Sequence, residues 1–164
     1  MSIQEDLALI DAQESALRFV RWDEQTAWTL GTQLRAWAVE RGLPVVIDVR
    51  RAGQPLFYAA LAGTTPDNAE WVRRKSNTVA RYHRSSYGTG LRLRLKGETL
   101  VQSGLSFADY SDHGGSFPIT VEGVGVIGSV TVSGLAQRAD HELVVEALCH
   151  LLGKDFAALK LPSE

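Results

Sequence analysis

The sequence predicts an α+β protein, an antiparallel sheet built from hairpins at about 45–61 and 117–132 and packed with helices. Two stretches each hold a pair of runs rich in Val, Ile, Phe or Tyr around a short Gly-containing gap. Runs joined so tightly pair antiparallel, because a parallel pair needs a long crossover. Helical periodicity occupies the chain before, between and after these stretches. A length of 164 residues suits one domain, taken as 1–164, large enough to bury a core without covalent staples.

Residues 3 to about 14 read as a short helix, and Ala16–Trp22 fits either an extension of it or a strand. Asp23 is placed to cap the next helix, which runs to about Arg41 with Ala27, Leu30, Leu34, Trp37 and Ala38 as its apolar stripe. Gly31 in its middle implies a close approach, and Gly42 and Pro44 end it. Val45–Arg50 and Pro55–Leu61 form the first hairpin around Arg51–Gln54, with Val45, Ile47 and Val49 on one face. Asp48 and Arg50 fall on the other face and are expected to meet solvent or a second subunit.

Thr65-Pro66-Asp67 opens a helix that continues through Trp71 to about Arg84. Ser85–Gly88 interrupts it. Leu91, Leu93 and Leu95 alternate with basic residues, which suits a strand by period and a helix by propensity. Residues 97–112 are the least regular part. Phe117–Val121 and Val124–Val132 form the second hairpin around Glu122-Gly123, and its internal glycines suggest a bulge or a close backbone approach. Asp140-His141-Glu142 opens the last helix, and the tail from Leu159 to Glu164 is expected to fray.

The chemistry is sparse. A formal net charge of −2 gives no general attraction to nucleic acid or membrane. A lone Cys149, expected to be an inert core thiol, excludes an internal disulfide and a cysteine-based zinc site. The acidic N-terminus does not look like a signal peptide, and no run approaches a membrane span. Gly123–Gly128 matches G-x-G-x-x-G by letter but sits within a hairpin, so it is not a dinucleotide fingerprint. No acidic residue interrupts Trp71–Lys96, whose basic run includes Arg73, Arg74 and Lys75 and would attract an anion, a partner chain or only solvent.

His113 is the foremost candidate for chemistry, because imidazole serves as acid, base or haem-iron ligand. Gly114 and Gly115 follow it with backbone N–H groups suited to an anion, and Ser116 lies three residues on. The competing reading is a histidine that merely ties down a tight loop. His83 joins the basic patch, and His141 is expected in a cap region.

Gly42-Leu43-Pro44-Val45, Gly63–Asn68 with Trp71 and Arg73-Arg74-Lys75, Ser85-Ser86-Tyr87, His113–Ile119, and Ser133-Gly134-Leu135 with Asp140-His141 together resemble the UPF0303 family. That family lies within the haem-degrading-domain group of GlcG- and HbpS-like, DUF336-type proteins. The resemblance runs over nearly the whole chain. It implies a profilin-like α/β sandwich, a cytoplasmic protein and a higher homo-oligomer. It also implies haem or a related tetrapyrrole as the candidate ligand; the residues themselves, and not the resemblance, offer His113 as the candidate iron ligand and Arg73, Arg74 and Lys75 as candidate holders of propionates. The alternative is a non-catalytic homo-oligomeric scaffold or adaptor, with Leu7, Phe19 and Trp22 buried between subunits.

Overall fold

The computed structural model describes residues 2–164. Its elements in chain order are α1 (Ile3–Ala16), α2 (Glu24–Glu40), β1 (Val46–Arg51), β2 (Gln54–Ala60), α3 (Pro66–Tyr82) and α4 (Ser86–Leu95). A 3₁₀ turn (Leu100–Ser103), β3 (Ser116–Val121), β4 (Gly125–Ser133), α5 (Gln137–Leu152) and α6 (Phe156–Leu159) complete it. The strands form one four-stranded antiparallel sheet in the order β2-β1-β4-β3. The α+β expectation and both hairpins are borne out.

Alternation gives the sheet two faces of different chemistry. Ile47, Val49, Phe117, Ile119, Val130 and Val132 pack against Leu30, Leu34, Val144 and Leu148 of α2 and α5. The opposite face carries Asp48, Ser116, Ser129, Thr131 and Ser133, all buried, and α3 lies across it. Burying so polar a face requires internal partners. Thr131 Oγ1 donates to Ser116 Oγ at 2.8 Å, and Arg50 donates to Asp48 Oδ1 and Oδ2 at 2.7 and 2.9 Å. The placement of Asp48 is thus corrected: it is fully buried under α3, not facing solvent.

Local signals account for most boundaries. Asp23 Oδ1 accepts from Thr26 N at 2.9 Å at the start of α2. A Cβ on Gly31 would lie 2.2 Å from the Phe57 ring, which is the close approach the sequence implied. Ala52 and Gly53 both take positive φ, 48° and 83°, as a two-residue hairpin turn requires. Residues 91–95 are helical. Ser85 Oγ accepts from Gly88 N at 3.1 Å to start α4, and Tyr87 and Leu91 bury one turn apart against Leu7 and Ile10 of α1.

One open reading resolves and two expectations change. The ambiguous segment before α2 joins the sheet edge: Phe19 N donates to Thr120 O and Phe19 O accepts from Glu122 N, both at 2.8 Å. Leu7 and Phe19 are therefore core residues of their own chain and not free to bury between subunits. The tail does not fray. Leu161 is buried and donates to Glu142 Oε1 at 3.1 Å, Leu159 O accepts from Gln13 Nε2 at 2.8 Å, and Pro162 O accepts from Arg138.

Candidate functional site

Helix α3 spans the polar face of the sheet, and a turn of 3.6 residues sends consecutive side chains in different directions. Arg73 points outward, donating to Glu70 Oε2 at 2.8 Å, Asp109 Oδ1 at 3.1 Å and Ala108 O at 2.7 Å. Arg74 lies over the Trp71 ring, 4.1 Å from its centroid, and donates to Phe107 O at 3.3 Å. Lys75 points inward, donating to Asp140 Oδ2 at 3.0 Å and Val132 O at 3.3 Å. These three residues do not converge as one anion clamp. The irregular segment before β3 is instead tied down by α3: Asn77 donates to Asp109 O, Thr78 Oγ1 to Ser111 O, and Ser111 N to Arg74 O.

That tethering delivers His113 to Trp71. The two rings stack at 5.1 Å between centroids and 18° between planes, and the His113 side chain is 49% exposed. Partial burial holds its pKa below the ordinary imidazole value, and Lys75, Arg94 and Arg74 push the same way against Asp112. Gly114 and Gly115 are buried, and Gly114 N donates inward to Gln137 Oε1 at 2.9 Å. Gly115 has φ +137°, and a Cβ there would lie 2.4 Å from Val132 O and 2.7 Å from Lys75 Nζ. The Gly-Gly loop thus gives close contact with β4 and the lysine, not the open anion nest the sequence suggested. Ser116 is also buried, its N–H donating to Ser86 Oγ at 3.1 Å, and it does not line the cleft.

The cleft itself has a volume of about 220 Å³, with Trp71, Lys75, His113, Gln137 and Asp140 among its walls. At its base the Lys75–Asp140 pair is almost dry, with side chains 4% and 2% exposed. Burial pulls the ammonium pKa down and pushes the carboxyl up, and each partner's charge opposes the shift. Asp140 also accepts from Leu135 N at 2.9 Å and Gly134 N at 3.4 Å, so it fixes the turn between β4 and α5. The sequence reading did not find this pair. Its signal was there: Val72, Lys75 and Val79 share the buried stripe of α3, and a lysine in such a stripe calls for a buried partner.

The other histidines separate. His141 is not a cap residue: it is fully buried between Tyr87 and Phe117, with Nε2 2.8 Å from Gln13 Oε1. Burial, with the Arg138 charge second, holds its pKa down at about 3. His83 ends α3 in the left-handed conformation. Cys149 is buried as expected, its thiol pushed up to about 11. Among the described residues no three His, Cys, Asp or Glu side chains gather as a metal site, and no helix is long and apolar enough to cross a membrane.

The haem-degrading protein HbpS-like family model matches residues 23–149. A UPF0303 protein of Acidobacterium capsulatum is 63% identical over 99% of both chains, and one of Burkholderia ambifaria is 60% identical over 98% of both. Among solved structures, the Ybr137w protein superposes with a TM-score of 0.83 at 28% identity, covering 90% of this chain and 88% of that one. HbpS and the PduOC:heme complex superpose at 0.64 and 0.67, both at 18% identity, and share the fold. They cover 81% and 79% of this chain, and 91% and 94% of their own. The helix that carries Lys75 and the strands beneath it lie within the matched span, and the chain belongs to the HbpS-like haem-degrading family, in its UPF0303 branch.

Proposed function

We propose that the protein binds haem or a related tetrapyrrole on the face formed by His113 and Trp71. One observation carries this reading: a half-exposed imidazole, held below its ordinary pKa and therefore unprotonated near neutral pH, stacked on a tryptophan at the lip of a cleft. The haem-degrading family and the haem complex of a protein of the same fold support it. The residues suit ligation at a surface. A cleft of about 220 Å³ is smaller than the ~300 Å³ from which enclosed ligand pockets begin.

On this reading His113 offers a ring nitrogen to the iron, and Trp71 fixes the imidazole plane by stacking. Arg74, lying over Trp71, offers a cation for a propionate. Lys75 and Asp140 hold the cleft's base and leave the ligand to the rim. The redox chemistry of the bound group would belong to its iron. On this reading the protein works as a cytoplasmic homo-oligomer.

A haemin titration followed by absorbance tests this. We expect saturation near one haem per chain and a Soret shift, with affinity at least about tenfold weaker in His113→Ala. Non-saturating binding, or binding that the variant leaves unchanged, overturns the reading.

A second reading, a homo-oligomeric scaffold, is favoured by Trp28 and Val39, 55% and 56% exposed on one outer stripe of α2. Sedimentation velocity at micromolar concentration tests it, and a monomer there overturns it.

A further inference from the structure

A larger cavity, of about 440 Å³, lies toward the other end of α3 and shares no lining residue with the His113 cleft. It opens between the C-terminal half of α3 and the hairpin ends of β1 and β4. Ala80, Val126 and Ile127 give it an apolar wall, and Arg50 and His83 supply the polar groups used below. The volume falls within the ~300–1,000 Å³ of small-molecule sites, and a mostly apolar lining with a few fixed polar groups is their usual composition.

The charged groups of its lining have one sign: no carboxylate lines the cavity, while Arg50 and Arg51 do. Arg51 is matched by Glu24 at 2.7 Å. Arg50 differs. Its Nε and Nη2 are both committed to Asp48, a carboxylate with no exposure, so the guanidinium plane is fixed. Its Nη1 makes no hydrogen bond among the described residues, and the side chain keeps 19% exposure on the cavity side. A rigid donor edge in a partly desolvated wall suits a planar acceptor.

We propose that this cavity is a binding site for a small organic carboxylate with a flat apolar body. The carboxylate meets Arg50 Nη1 and the His83 imidazole, and the body lies against Ala80, Val126 and Ile127. The proposal uses none of the residues of the haem reading.

The test is an amide ¹H–¹⁵N titration of the full chain with 2-naphthoate, and with 2-naphthamide as the uncharged control. We expect saturable shifts centred on Gly53, Ala80 and Gly128, with the amide at least about tenfold weaker. Ala80→Trp fills the cavity from an exposed helix position without touching the Asp48–Arg50 pair, and should abolish the shifts while leaving the thermal midpoint near that of the wild type. Arg50→Lys keeps the charge and loses the fork, and should weaken binding severalfold. Shifts centred on Trp71 and His113, equal affinity for acid and amide, or unchanged binding in Ala80→Trp each overturn the proposal. Haemin binding that fails in the same samples bears on His113 alone, so the two readings stand or fall separately.

Discussion

His113 and His141 are both imidazoles held below the usual pKa, one at the rim of a cleft and one inside the core. For His113 the shift means that protons compete with a metal only at lower pH than for an ordinary histidine. Haemin affinity should therefore hold as pH falls to about 6.5 and weaken below it, and loss beginning well above that pH would contradict the assignment. For His141 the consequence is stability. Below about pH 6.5 the unfolded chain takes up a proton that the folded protein, with a pKa of about 3, refuses. Stability therefore falls as pH drops through that window. Arg138 opposes protonation from its own helix, while Gln13, Tyr87 and Phe117 face the ring from other elements. Urea unfolding at pH 7 and pH 5 should show about 2 kcal/mol more loss in the wild type than in His141→Gln. Glu142 titrates in both proteins and cancels, so equal losses would refute the assignment.

At the scale of elements, α3 works through the divergence of neighbouring side chains. Lys75→Met leaves Asp140 buried without its cation and should destabilise by about 3–5 kcal/mol in urea unfolding. Lys75→Met with Asp140→Asn should recover part of that, and no recovery would show that the turn contacts of Asp140 dominate. Gly31→Ala drives a methyl into the Phe57 ring and should lower stability by about 1–3 kcal/mol, and an unchanged thermal midpoint would mean that the ring moves aside freely. Helices α2 and α5 and both hairpins were legible because periodicity and turn residues are local properties. The partner of Lys75 was not, since Asp140 is 65 residues away. The Leu-Arg alternation of 91–95 was ambiguous because burial against α1, a tertiary contact, decides it. The segment before β3 looked irregular because α3 side chains, and not a ladder of its own, satisfy its backbone.

Over the whole molecule, the sheet has one oily face and one polar face, both covered by helices. The candidate sites lie on the polar side, where fixed donors and acceptors are available. The C-terminus locks α1 to α5 through Leu161, Pro162 and Leu159. Truncation after Lys160 should lower stability by about 2–3 kcal/mol and raise amide exchange in α1, whereas unchanged exchange would mean that the tail is dispensable. No sequence pattern announced this anchor, because a single leucine in a polar tail carries no periodicity.

The Phe19 bridge has a bearing on aggregation. A strand at the end of a sheet is an open template for another chain. At β3 the residues around Phe19 occupy part of that template with their own main chain. At the opposite edge β2 carries Pro55, which has no N–H to lend to an incoming strand. Both margins are blunted, so edge-to-edge addition of a further strand, the step from which runaway stacking grows, is disfavoured at either side of the sheet.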